Sequence, residues 1–266
     1  MGAQLRVTLL EHTPDPDRAV AAAGRLCYAP VSAAELKQTM SADDVARLVC
    51  GLVRSNHMSA LEHAVFSFAV DGVSRACTHQ LVRHRMASYN QQSQRYVHFG
   101  EGDSFVVPPS IAANAEANTV FLEAMEQARQ AYDRLVEVGL AEGRTRESVQ
   151  EDARFVLPNA AETKIVVTMN ARELRHFFQV RCCNRAQWEI RALAWQMRGM
   201  VKEIAPALFE KTGPGCLYGT CPEGKMTCGK PYTADEVDGP AAATGAAPTG
   251  AAGAAATGAA SVGAAS

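Results

Sequence analysis

The sequence predicts an α+β domain. Three stretches read as strands, several longer ones read as helices, and the two kinds do not alternate in the regular βαβ order of a parallel sheet. A compositional break near residue 232 marks where the domain is expected to end.

"QLRVTLLEH" reads as the first strand, followed by a helix in "DRAVAAAGRLCYA" with Asp17 placed to cap it. Ser41 with Asp44 three residues on resembles a capping box, opening a helix through "DDVARLVCGLVRSN". "AVFSFAV" sets Phe66, Phe68 and Val70 on one face at period two, a strand. Ser74 then caps a helix through "RACTHQLVRHR", and the chain leaves it in a loop. Residues 119–140 form a long amphipathic helix whose stripe of Phe121, Met125, Ala128, Tyr132 and Leu135 is expected to be core. "ESVQEDARFVL" is a shorter helix stopped by Pro158, and "TKIVVTMN" is a strand. Asn170, with Glu173 at the third helical position, caps "ARELRHFFQVRCC". A last helix is expected over 186–210, ending near Gly213.

Residues 1–232 therefore read as one domain. Residues 233–266 contain no Leu, Ile or aromatic side chain and are expected to be a disordered Ala/Gly/Thr-rich tail, because they bury too little to offset ordering. The 266 residues are 47% hydrophobic and 20% charged with a net charge of −2, which argues against a general nucleic-acid or membrane-surface binder. No apolar run has the roughly 18 residues of a membrane span, and the start has no secretory or myristoylation pattern. A cytoplasmic protein with reduced cysteines is expected.

No G-x-G-x-x-G follows a strand, and there is no P-loop or H-E-x-x-H. Cys216, Cys221 and Cys228 are separated by four and then six residues, which is not a usual zinc spacing, and no fourth ligand is evident in the sequence. No metal is expected.

The unusual stretch is "RHRMASYNQQSQRY", residues 83–96, which has three Arg, one His and no acid. Arg83, Arg85 and Arg95 offer planar forks for phosphate, and Ser88, Asn90, Gln91, Ser93 and Gln94 offer neutral donors and acceptors for sugar and base. On residue types alone this suits a nucleotide pocket, an RNA-binding loop or a knot of structural ion pairs. The stretch resembles the R-H-R-x7-S signature of the flavin-dependent thymidylate synthases, here Arg83, His84, Arg85 and Ser93. "NHMSALEH" (56–63), "ARFVLP" (153–158) and "MNARELRHFFQVRCCNRAQWEI" (169–190) are similar to three further family segments in the same order, so the resemblance spans most of residues 1–212.

The resemblance implies an α+β fold with an antiparallel-rich sheet, in a homotetramer with active sites between subunits. It implies reductive methylation of dUMP to dTMP, with FAD as cofactor and NADPH and 5,10-methylenetetrahydrofolate as co-substrates. Such chemistry needs no cysteine nucleophile, and the P-C-Q context of the unrelated cysteine-using thymidylate synthase is absent. Residues implied to face FAD are His57, Ser59, Glu62, Arg83, His84, Arg85, Gln91, Asn170, Arg172 and His176. Those implied to face dUMP are Gln80, Arg83, Gln91, Ser93, Gln94, Arg95, Arg154 and Arg181, with Arg181 the catalytic cation at the uracil edge. Gln91 and His176 stand where some family members carry Glu and Asn. Arg172 and His176 share a helix face, whereas Arg181 lies about 140° round from His176, so it is expected to address a different ligand surface. Two rival readings are an RNA-binding protein and a related flavoenzyme that methylates uracil in a different substrate or only oxidises NADPH.

Overall fold

The structure, a computed structural model, describes residues 3–100 and 104–238. Its centre is a four-stranded sheet of order β1-β2-β4-β3, in which every pair is antiparallel. The strands are β1 (Arg6–His12), β2 (Val65–Ser74), β3 (Ala87–Gln91) and β4 (Glu162–Asn170). In chain order the helices are α1 (Pro16–Leu26), α2 (Ala33–Thr39), α3 (Ala42–Arg54), α4 (Arg75–Leu81), the single turn α5 (Pro109–Ala112) and α6 (Ala115–Ala141). They continue with α7 (Arg146–Ala153), α8 (Ala171–Arg181), α9 (Trp188–Ile204) and α10 (Ala234–Asp238). The α+β expectation holds.

The period-two pattern of β2 buries Phe66, Phe68 and Val70, and that of β4 buries Ile165, Val167 and Met169. These side chains join Leu174, Phe177 and Phe178 of α8 and Leu193, Trp195 and Met197 of α9 in one core. A smaller core gathers Tyr132 and Val136 of α6, Val149 and Ala153 of α7, and Phe99. The pairing of β2 with β4 slips between Val70 and Val73, making a bulge. Gly72 sits there at φ +70°, and a Cβ on it would lie 1.9 Å from the Gln4 carbonyl oxygen, so only glycine fits.

Five expectations need correction. "ASYNQ", read as loop, is the edge strand β3, paired Ala87 to Met169 through Gln91 to Ile165. Its polar side chains hide the strand because the pairing is carried by backbone, and Ser88 and Asn90 stay exposed. The cap of α1 is Asp15, whose carboxylate accepts the Arg18 amide. Asp17 instead accepts the Ala207 and Leu208 amides at 3.0 and 2.9 Å, tying α1 to the chain after α9. Of the expected α6 stripe, only Tyr132 is fully buried and Leu135 is exposed, because only the C-terminal half of α6 packs with α7. Helix α9 stops at Ile204 rather than 210, since Pro206 blocks continuation.

Six residues assigned to the tail, 233–238, pack onto the domain, with Val237 buried beside Arg198, which donates to the Val237 carbonyl at 3.1 Å. The remaining tail, 239–266, lies outside the described residues. Asp17→Ala is expected to cost about 1–2 kcal/mol, because it strands two amides; a lowered urea midpoint with an unchanged slope would register this.

Candidate active site

The site begins at the β2–α4 junction. The Ser74 hydroxyl accepts the Cys77 amide at 3.0 Å and so caps α4. The Ser74 amide and hydroxyl both donate to the Glu189 carboxylate at 2.6 Å, all within the core. This pins α4 to the first turn of α9. The chain then turns through residues 82–86 into β3. The Tyr89 hydroxyl bridges the carbonyls of Leu81 and His84 at 2.9 and 2.8 Å, which fixes the turn that presents Arg83, His84 and Arg85.

His84 points inward and is 7% exposed. Its Nδ1 lies 3.1 Å from the Glu173 carboxylate, its Nε2 lies 3.0 Å from Arg181 Nε, and its ring meets Phe177 edge-on. Arg181 Nε always carries hydrogen, so His84 Nε2 must accept, and the ring is neutral with its proton on Nδ1 donating to Glu173. Burial is the main force pulling the His84 pKa down to about 4, with Arg181 and His176 adding to it. Burial likewise pushes the Glu173 carboxyl up. His84 was expected to face the flavin; both its nitrogens are taken by protein groups, and its place is behind Arg181.

The pH consequence has a definite sign. The folded pKa of His84 lies below its ordinary 6.5, so its contribution to stability is complete above 6.5 and is lost as pH falls toward about 4. In the same descent the ring gains a proton at Nε2 and repels Arg181. Turnover is therefore expected to fall on an acid limb near pH 4. His84→Gln, whose amide oxygen has no such titration, should lose that limb while keeping part of the turnover; kcat measured against pH for both proteins checks it.

Six of the ten residues expected at the flavin line two adjoining cavities of about 590 and 500 Å³, which share Asn56, Met58 and Arg172; Arg83, His84, Arg85 and Gln91 do not line them. His57 and Ser59 line the first; Glu62, Asn170 and His176 line the second. Arg172 pairs with Glu62 at 2.6 Å, joining the 56–63 segment to α8. Asn170 also caps α8, accepting the Glu173 amide at 2.9 Å. Met86, next to Arg85, lines the second cavity. Arg83 and Arg85 are exposed, and neither has a carboxylate partner among the described residues; Arg83 meets only His79, at 3.0 Å.

Despite their spacing on the helix, Arg181 and His176 share His84 as a neighbour, with the His84 and His176 rings 5.9 Å apart. Arg181 is half-buried and its terminal Nη groups have no partner among the described residues, so a planar pair of donors is left open.

The residues expected at the nucleotide are less uniform. The Gln80 side chain donates weakly to the Ala76 carbonyl, at 3.4 Å. The Gln91 amide donates to the Thr78 and Thr163 hydroxyls at 3.0 and 3.3 Å, which leaves its carbonyl oxygen as the free end. Ser93 accepts the Arg95 amide, and Gln94 is half-buried. Arg95 is already held by Glu147 and Glu151 at 3.1 and 3.3 Å, so any phosphate must compete with two carboxylates. Arg154 has no carboxylate partner among the described residues, and its charge helps pull the Arg75 pKa down, behind burial. Arg75 escaped the sequence reading. It donates to the Gln92 carbonyl at 3.0 Å, while its buried Nε has no partner. Neither guanidinium has a carboxylate partner among the described residues, so positive charge is left unneutralised there. Only the helix-capping Ser74 before Arg75 hinted at its place, since cap and ligand residues look alike in sequence.

No thiol in this region is poised to attack. Cys77 and Cys182 are fully buried, and burial pushes both thiols far above their ordinary range.

The profile of the family described as "Thymidylate synthase complementing protein" matches residues 8–207. Among curated proteins, the flavin-dependent thymidylate synthase of Geobacter sulfurreducens is 57% identical over 227 residues, covering 85% of this chain and 94% of its own length. That of Clostridium tetani is 48% identical, with 85% and 94% covered, and that of Pyrococcus furiosus is 43% identical, with 82% and 90% covered. Among solved structures, the UMP/dUMP methylase PolB from Streptomyces cacaoi bound with 5-Br dUMP is similar with a TM-score of 0.68 and 27% identity, covering 79% of this chain and 94% of that one.

Proposed function

The chain belongs to the flavin-dependent thymidylate synthase family, and from that premise we propose how its residues carry out the methylation of dUMP to dTMP with FAD as cofactor. The carbon comes from 5,10-methylenetetrahydrofolate and the two electrons from NADPH. The overall change consumes dUMP, the folate, NADPH and a proton, and yields dTMP, tetrahydrofolate and NADP⁺. FAD, when bound, supplies the hydride-carrying chemistry.

The observation that carries this reading is the open Nη edge of Arg181, held by neutral His84. Placed at a uracil carbonyl, a fixed cation stabilises negative charge on the oxygen and makes C5 the nucleophile, so no cysteine is needed. Arg75 and Arg154 hold the nucleotide phosphate, and Gln91, Ser93 and Gln94 hold the sugar and base. Gln80 and Arg95 complete that wall. The cavities suit a large anionic dinucleotide: Arg172 supplies a cation within them, His57, Ser59, Asn170 and His176 supply neutral partners, and the exposed Arg83 and Arg85 add cations from the turn beside Met86. The protein acts as a homotetramer with sites between subunits, a reading supported by α6, where Val120 and Leu122 are 62% and 49% exposed. No helix among the described residues is long and apolar enough to cross a membrane, and eight unpaired cysteines suit the reducing cytoplasm.

A second reading, methylation of UMP, is favoured by the solved UMP/dUMP methylase. Purified protein is expected to show flavin absorbance and to methylate dUMP in preference to UMP and RNA. Flavin-free protein that gives no product after addition of FAD, or preference for UMP or RNA, would overturn the proposal.

A further inference from the structure

The chain after α9 brings together thiols that the sequence keeps apart. Cys183 follows Arg181 by two residues; Cys216, Cys221 and Cys228 come from the C-terminal segment. All four line one cavity of about 300 Å³, and none is in a disulfide. Cys183 is the fourth ligand type that the spacing of the other three lacked. The segment that carries them has little else to hold it. Residues 219–231 are almost entirely exposed, and the only regular structure there is the turn Gly224–Met226. Its anchors are few: Arg185 with Glu223 at 3.5 Å, and the Asn184 side chain donating to the Lys230 carbonyl at 3.4 Å. Two of the sulfurs already have amides aimed at them. Gly229 at φ +70° turns the chain so that the Lys230 amide donates back to Cys228 Sγ at 3.4 Å, and the Tyr232 amide donates to Cys216 Sγ at 3.4 Å. Amide donors of this kind stabilise metal-bound thiolates.

We propose that Cys183, Cys216, Cys221 and Cys228 bind one zinc-class divalent cation tetrahedrally, fastening the 215–231 segment to the end of the helix that bears Arg181. Four soft thiolates select such an ion, and the metal supplies the ordering that the segment's own packing does not. On binding, four thiols release their protons to solvent and four S–metal bonds form. The net −2 of the centre is met by the aimed amides and by Lys230 at the cavity wall. Among the described residues no three of these four sulfurs lie mutually within 4.8 Å, so binding requires the exposed segment to draw them together.

The test is metal analysis of the full chain after zinc loading and dialysis, beside Cys228→Ser and Cys216→Ser, with circular dichroism to show that each is folded. The expected result is about one zinc per chain, lost in both variants. Replacement by cobalt should give the intense thiolate charge-transfer absorption of a tetrahedral sulfur site in the parent protein alone. A parent protein that retains no metal, variants that retain it, a cobalt spectrum without that band, or a disulfide among these four cysteines in non-reduced peptide maps would each overturn the proposal.

Discussion

Arg181→Ala is expected to lower turnover of dUMP by about 10²–10³-fold, the cost of removing one preorganised donor from a developing oxyanion, while bound flavin is retained. Among the described residues the guanidinium is held by a single bond, from Nε to His84 Nε2 at 3.0 Å, and its Nη groups are open. Removing it leaves Glu173, Phe177 and the cavity residues in place, so the loss should appear in kcat more than in flavin content. Arg181→Lys should restore little, because an ammonium lacks the planar fork that binds His84 through Nε and leaves the Nη edge free for the proposed uracil contact. Single-turnover kinetics with a flavin-to-protein absorbance ratio would check both points. Turnover unchanged from the parent would remove Arg181 from the chemistry.

Glu189→Ala is expected to be the most destabilising polar change, at about 3 kcal/mol. Glu189 is 2% exposed, and its carboxylate receives both the amide and the hydroxyl of Ser74. Alanine would leave those donors unpaired in the core and open a cavity beside the α4 cap. Glu189→Gln keeps one acceptor and should cost roughly half as much. The damage should reach the site, because α4 carries Gln80 and leads into Arg83, His84 and Arg85. Urea unfolding followed by circular dichroism measures it; a midpoint within error of the parent would contradict the role given to this bond.

What could be read from sequence divides along physical lines. The caps at Ser41, Ser74 and Asn170 were legible because a cap is local: oxygen and amide lie three residues apart. The strands β2 and β4 were legible because burying one face imposes period two. Strand β3 was not, since an edge strand is held by backbone bonds that do not depend on side-chain type. Asp17 looked like a cap, yet its amide partners lie 190 residues away. The same limit applies at the site. Arg181, Arg172 and His176 could be assigned through the motif resemblance, but the contact of His84 with Glu173 and Arg181 spans 89 and 97 residues and needs the fold. Arg75 and Cys183 were hidden for that reason too: each gains meaning only from neighbours brought in from elsewhere in the chain.

The most direct measurement follows the carbon itself. The purified protein is incubated with FAD, NADPH, dUMP and methylenetetrahydrofolate carrying a heavy-carbon methylene, and the nucleotides are analysed by mass spectrometry. The account predicts that the label appears in the C5 methyl group of dTMP, that it vanishes when the reductant is omitted, and that Arg181→Ala forms almost none. Unlabelled dUMP remaining at the end, with NADPH merely oxidised, would contradict it.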